Sequence, residues 1–454
     1  MTTISFLHNK KTITMTIEKM VLYKQAKLIE ATDRKGQYYI ALFYKNDFIN
    51  IKRVTDIKRN SFLYYALTEG NSYSSTHPLT KVFLSQQTNL RSSSSKQMFQ
   101  HLKDKYNETE TLFILTLFNN FYEPKLLHDL CKKTFYHYRR NGQLYKSYKV
   151  LISILQADPS HSFASDMIQH LDFQKYQNKY THYEQHLDEL NDPLYIEARA
   201  WNNDNKKVVT YMTKLFHDEG RLFDELALQY QLIQANSSPI NRNTFDLIDV
   251  LLQNITTKQI AVEFWQSLLD NNIFHEAIIA KLYDYHAYSN VFLAYMEHPS
   301  LANQAILDTI LPKLDTNVLL VEKDKVFPFL IQHYGNNKEQ LTKWTEHITW
   351  KLLKSCTLDE LLDLTSSIEL KLPIVQQLKD MQTMENNPDQ QYQLGEKYYN
   401  LKQYDKAIPC FEWEMELYPD NIAAIQYLEK CYLALNDQTN AKNYQDILVS
   451  IGTR

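Results

Sequence analysis

Apolar residues follow two different rhythms along this chain. Near the N-terminus the period is two. Gln37 to Tyr44 is rich in aromatic and β-branched residues, Lys45-Asn46-Asp47 is polar, and Phe48 to Val54 alternates apolar with polar. Alternation puts one set of side chains on one face of a strand, so this stretch predicts a β-hairpin with a three-residue connection. Upstream, Val21 to Thr32 is a longer apolar run closed by the turn Asp33-Arg34-Lys35-Gly36. Such a run fits a first strand or an amphipathic helix, and a small β-meander is expected. Three strands alone are marginal, so a helix around Phe62 to Leu67 is expected to cover one face.

From Gln97 onward the period becomes helical. Leu112, Leu115, Phe118, Phe121 and Tyr122 recur at helical spacing, as do Leu126, Leu127, Leu130 and Phe135. Thr357 and Glu360 form a capping-box pattern ahead of Leu361, Leu362 and Leu364. Asn202-Asn203-Asp204-Asn205, Asp270-Asn271-Asn272 and Asn336-Asn337 mark breaks between helices. Between the two regimes, Gly70 to Lys96 is polar, with a serine run at Ser92 to Ser95 and a Val82-Phe83-Leu84 island able to dock on a neighbour. Its composition reads as a linker. The expected organisation is a small N-terminal module with the hairpin (1–68), a polar linker (69–96), a helical repeat domain (97–385) and a C-terminal pair of repeats (386–454).

Composition narrows the classes. The 454 residues include only 7 Gly, too few for a chain of tight β-turns, and no two lie close enough to build a phosphate-cradling loop. Lys and Arg number 49 and Asp and Glu 53, so the net charge of −4 exerts no global pull on nucleic acid. Cys131, Cys356, Cys410 and Cys431 form no CxxC pair, which suits a reducing cytoplasm. No run approaches the roughly 18 apolar residues of a membrane span. No apolar stretch follows Lys10 and Lys11, so no secretory signal is read. Met15 and Met20 are alternative starts that would make the first residues a dispensable tail.

A repeat emerges near the C-terminus. Leu394, Gly395, Tyr398, Ala407, Phe411 and Pro419 have the offsets of a helix–turn–helix unit. Gly395 and Ala407 are small where two helices cross. Leu394, Tyr398 and Phe411 fill the gap between them, and Pro419 ends the second helix. A shift of about 34 residues maps Leu394 to Leu428, Tyr398 to Tyr432 and Ala407 to Ala441, but Phe411 to Gln445. Far upstream, Tyr138, Ser147, Leu151 and Pro159 reproduce the same offsets. The unit resembles the tetratricopeptide repeat (TPR) family, departing from it at Gln391 and Glu414. The resemblance implies a mainly α fold, a TPR-like α-solenoid carrying a small β-containing module. Residues 160–385 match only as generic helix pairs.

Candidate chemistry is sparse. His182 and His186 are four apart, which on a helix gives one face, but the His-Glu-x-x-His order is not met and surface histidines are expected. His128, Cys131 and His137 are close in sequence, yet Cys131 follows Leu127 and Leu130 on an apolar face and reads as a buried thiol. Cys410 and Cys431 read as packing residues. Lys52-Arg53 and Lys58-Arg59 beside Tyr38, Tyr39 and Phe43 could stack bases, against the plainer reading of a charge-protected edge strand.

The expected function is therefore non-catalytic: a cytoplasmic adaptor, chaperone-like factor or regulator with no cofactor and no metal. The TPR resemblance implies a concave groove lined by the first helix of each unit, here Tyr392, Glu396, Tyr399 and Asn400, then Gln426 and Lys430. Tyr392 and Glu396 stand where carboxylate-capturing members use Lys and Asn, so a basic or aromatic-containing protein segment is the expected partner. The alternative is a nucleic-acid-associated or enzymatic factor with its activity in the N-terminal module.

Overall fold

A computed structural model describes residues 2–8, 11–88, 90–235, 242–269, 274–366 and 372–452. The fold is mainly α, with TPR-like helix pairs following an N-terminal antiparallel sheet. The chain forms two compact units, Met1–Lys281 and Leu282–Arg454. The expected break at Asp270-Asn271-Asn272 lies outside the described residues.

In the first unit, β1 (Thr3–His8), β2 (Lys11–Tyr23), β3 (Ala26–Thr32), β4 (Tyr38–Tyr44) and β5 (Asp47–Arg53) pair antiparallel in chain order. β6 (Asn71–Ser74) pairs with Lys19 to Leu22 of β2, beyond the stretch that pairs with β1. The expected meander is thus larger than the sequence suggested. Val21 to Thr32 is neither one strand nor a helix. It turns at Lys24-Gln25, with Tyr23 opposite Ala26. The β4–β5 connection is two residues rather than three, with Tyr44 opposite Asp47. Tight hairpins need positive φ, and here lysines adopt it: Lys24 at 52° and Lys45 at 53°. Residues 3–8 and 11–20 belong to the sheet rather than to a tail, with Ile4, Phe6, Met15 and Met20 buried.

Both faces of the sheet are covered. Val21, Ala26, Leu28, Leu42 and Tyr44 pack with Phe62, Ala66, Leu102 and Phe113. The expected helix is Phe62–Glu69. On the opposite face, Phe43 meets Phe48 and Phe83, and Phe83 meets Phe223, with ring centroids 5.0–5.2 Å apart. Two-sided burial is why β3 lacks a clean alternation.

The segment expected as a linker is structured. It holds β6 and the helix Pro78–Ser85, whose Leu79, Val82 and Phe83 are buried. Gly70 permits this close docking. A Cβ there would lie 2.3 Å from the Ala66 carbonyl and 2.6 Å from Val21 Cγ1. Apolar island and backbone pairing together offset the ordering cost that composition alone charged to this stretch.

A buried ion network ties the sheet to the helices. Lys27, on the Phe43 face of β3, is 2% exposed. Its Nζ donates to Asp224 Oδ1 at 2.6 Å and to the Lys45 carbonyl at 2.5 Å. Arg221 Nε donates to Asp224 Oδ2 at 2.7 Å, and its two terminal nitrogens grip Glu197 at 2.8 and 2.5 Å. Burial presses the Lys27 pKa downward while Asp224 opposes it. Burial would raise the Asp224 pKa, but Arg221 and Lys27 outweigh it and hold the carboxyl below its ordinary range.

Five of the helix pairs among the described residues share one turn. At Gly142, Gly220, His286, Lys402 and Asn436 the backbone enters the left-handed region, at φ 71°, 66°, 56°, 57° and 61°. The next residue donates its N–H to the carbonyl five positions back: Gln143 to Tyr138, Arg221 to Phe216, Ala287 to Leu282, Gln403 to Tyr398 and Asp437 to Tyr432, at 2.8–2.9 Å. That is a Schellman-type closure. The following helix then starts from the same backbone each time, with φ,ψ of −87°,60° at Gln143, −90°,58° at Arg221, −85°,59° at Ala287 and −92°,61° at Gln403. Two of these turns, at Gly220 and His286, lie where the sequence showed only generic helix pairs. Counting from the turn, Ala407 corresponds to Glu225 and Phe411 to Gln229 in the Gly220 pair. Both are buried but polar, which hid the repeat.

Two outcomes test these constraints. Lys27→Ala leaves part of a buried carboxylate network uncompensated and is expected to cost about 3–5 kcal/mol, read as a lower denaturation midpoint. Lys402→Gly removes a left-handed strain of about 1 kcal/mol and should stabilise slightly, whereas Gly142→Ala should destabilise by about 1 kcal/mol. Equal effects at both turns would refute the shared-turn assignment.

Candidate functional site

The best-defined repeat pairs Gln391–Asn400 with Tyr404–Leu417, and the next pairs Ile422–Ala434 with Gln438–Gly452. Leu394, Tyr398, Ala407 and Phe411 are buried between their helices. Gly395 lies at the crossing: a Cβ there would meet Phe411 Cε1 at 2.9 Å and Cys410 Cβ at 3.1 Å. Tyr418 is extended, φ −132° and ψ 79°, as the residue before Pro419 must be. In the second pair Gln445 is exposed where Phe411 has its counterpart. Tyr444 takes over, stacking on Tyr432 at 5.5 Å, and both hydroxyls reach Glu412 Oε1 at 3.2 Å.

The predicted groove residues fall at i, i+4, i+7 and i+8 of the first helix and at i and i+4 of the third, so each set shares a helix face. Tyr427, which the sequence reading missed, joins them. Its ring stacks flat on Phe411, with centroids 4.7 Å apart and planes at 2°. It also meets Tyr399 at 5.0 Å and Tyr392 at 6.2 Å, edge to face. Its hydroxyl donates to Glu396 Oε1 at 3.3 Å. Lys430 Nζ lies 5.4 Å from the same ring. Tyr392, Glu396, Tyr399 and Lys430 are therefore gathered around Tyr427, whereas Asn400 and Gln426 are exposed at the margin. Burial and then Glu396 push the Tyr392 hydroxyl up to about 12. Burial likewise raises Tyr399 and Tyr427. The three rings stay neutral phenols near pH 7 and present a half-buried aromatic face around one carboxylate. Tyr427 follows Gln426 by one residue. Its signal was an aromatic at the helix–helix seam rather than on the predicted face.

Other sequence candidates are placed differently. His182 and His186 do not share an α-helix. The helix Gln174–Thr181 stops just before His182, a 3-10 turn Tyr183–Gln185 intervenes, and His186 Nδ1 lies 3.3 Å from Glu189. Cys131 is 1% exposed, and burial pushes its thiol up to about 12. Burial does the same to Cys410 and Cys431. Phe43 cannot stack a base, being fully buried between Phe48 and Phe83. Tyr38 and Tyr39 direct their hydroxyls to Glu30 and Asp33. No helix among the described residues is long and apolar enough to cross a membrane.

No family model and no curated protein matches the chain. Among solved structures it is similar to a chain in the structure of Naa15/Naa10 bound to HypK-THB, at 12% identity and a TM-score of 0.19, over 79% of this chain and 61% of that one. It thus spans less than two thirds of that chain's length. A second similarity is to a chain of the APC/C hetero-tetramer Cut9-Hcn1, at 12% identity and a TM-score of 0.14, over 87% of this chain and 86% of that one. Likenesses this distant define neither a family nor an activity.

The helix crossing gives a direct test. Gly395→Val drives two methyl groups into the Phe411 ring. The overpacking cost of about 1–3 kcal/mol exceeds the gain of replacing a helical Gly. A lower unfolding midpoint is expected; a variant as stable as the parent would mean that the helices do not cross there.

Proposed function

We propose that this chain is a non-catalytic protein-interaction scaffold that holds a basic segment of a partner on the Tyr392, Tyr399 and Tyr427 face. The observation that supports the reading is Glu396 set among the three rings, with the Tyr427 hydroxyl donating to it at 3.3 Å and the Tyr392 hydroxyl hydrogen-bonded to it as well. A partner Lys or Arg can add a charge-assisted bond to that carboxylate and lie over the ring faces. Four buried, unpaired cysteines suit work in a reducing cytoplasm.

The test is fluorescence anisotropy with a labelled Lys/Arg-rich peptide and its Glu-substituted counterpart. Glu396→Gln is expected to weaken binding of the basic peptide by about 1–2 kcal/mol, or roughly 5–30-fold. Glu396→Lys should abolish it, with circular dichroism unchanged in both variants. Equal affinity for the two peptides would remove the basis of the proposal.

A further inference from the structure

A cavity of about 440 Å³ in the first unit opens beside Cys131 and plays no part in the partner-binding reading. Its inner wall is apolar: Leu112, Cys131 and Ile154 are each 1% exposed. Its mouth is cationic. Lys58, Lys125, His128 and His161 line it against one carboxylate, Asp158. That carboxylate is engaged locally, Oδ1 accepting from the Ser160 N–H at 3.0 Å and the Ser160 hydroxyl at 2.7 Å.

The donors at the mouth have fixed directions. The imidazoles of His128 and His161 stack with centroids 5.0 Å apart and planes at 26°. His161 Nδ1 accepts from the Ala164 N–H at 3.3 Å, so the neutral ring carries its proton on Nε2. That Nε2 is buried and has no partner. A buried N–H without an acceptor is costly, and an anion in the cavity would supply one. Asn119 Oδ1 accepts from the Phe62 N–H at 2.8 Å, which leaves the Asn119 amide NH2 to donate. The helix Pro124–Arg140 starts at the same wall through Lys125, Leu127 and His128, and no side chain caps it. Its positive end adds to the field of the lysines.

We propose that this cavity binds a small phosphate monoester, the phosphate resting among His161 Nε2, Asn119, Lys125 and Lys58 and the organic body against Leu112, Cys131 and Ile154. Two permanent cations with the His161 and Asn119 donors against one carboxylate suit a doubly charged head better than a carboxylate. The volume lies in the range of small-molecule sites, about 300–1,000 Å³.

Calorimetric titration of the full-length protein with phenyl phosphate, with benzoate and phenol as controls, tests the assignment. Saturable one-to-one binding of phenyl phosphate is expected, at least tenfold tighter than benzoate, with none for phenol. Lys58→Gln combined with Lys125→Gln should weaken it at least tenfold, and both side chains are exposed, so folding is not at risk. His161→Asn keeps a helix-capping acceptor while deleting the Nε2 donor, and should weaken binding as well. Phenol binding as tightly as phenyl phosphate, no saturable binding, or binding that the double substitution leaves unchanged would overturn the site. A phosphotyrosine peptide binding more tightly than phenyl phosphate would overturn the small-molecule assignment in favour of a modified protein segment.

Discussion

The first unit depends on a lysine that cannot keep its charge alone. Lys27 sits on the face of β3 that packs against Phe83 and Phe223, where Nζ lies 6.0 and 5.7 Å from their ring centroids. An isolated ammonium there would cost several kcal/mol in lost hydration. Asp224 and the Lys45 carbonyl answer it, Arg221 answers Asp224, and Glu197 answers Arg221 with both oxygens. Two buried cations meet Asp224 and Glu197, Arg221 also reaching the half-exposed Glu219 at 3.1 Å, and Lys27, Glu197 and the Glu219–Asp224 stretch are three different pieces of chain. Hydrophobic packing alone would let the sheet slide on the helices. The network fixes the register, because a displacement would leave a buried charge unpaired.

The network and the helical repeat meet at a single residue. Arg221 follows Gly220, at the position that Gln403 occupies after Lys402. At these two turns the side chain is buried, Arg221 3% and Gln403 7% exposed, whereas Gln143 at the same place in the Gly142 turn is exposed. Gln403 spends its amide on the Leu401 and Trp350 carbonyls. One backbone geometry thus serves an exposed residue at Gln143 and buried polar groups at Arg221 and Gln403, and the neighbouring contacts decide whether the buried group becomes a neutral bridge or an ion pair.

This explains what was legible in the sequence. The Gly395–Phe411 unit was visible because its contacts use small-against-large complementarity, a pattern tied to residue type. The Glu225 and Gln229 pair was not, since buried polar residues stand there where the other unit has Ala407 and Phe411. Turns at Lys24 and Lys45 were invisible or misplaced because lysine carries no turn signal, although strand pairing forces it into positive φ. The segment around β6 looked like a linker because its docking depends on Gly70 and on an edge of β2 far away in sequence. At the candidate site the lining positions came from the TPR resemblance, and their spacing puts each set on one helix face. Tyr427 was not legible, because its role comes from stacking on Phe411 across two helices.

The abundance of tyrosine follows from the same chemistry. Tyr23 donates to Glu69, Tyr106 to Asp47 and Tyr180 to Asp192 in the first unit, and Tyr334 donates to Asp308 in the second, at 2.5–2.9 Å. Each phenol gives a carboxylate a hydrogen bond in a half-buried setting, and Asp47 takes Lys105 as well, at 2.6 Å. A phenol also contributes apolar area, which a lysine partner would add only along its stem. Around Glu396 the arrangement is looser, with the Tyr427 hydroxyl at 3.3 Å and no ion pair among the described residues. In the interior such a carboxylate is closed by its tyrosine. On the face of the repeat it keeps unspent acceptor capacity beside three neutral rings, and that unspent capacity is what a cationic side chain from another protein can use.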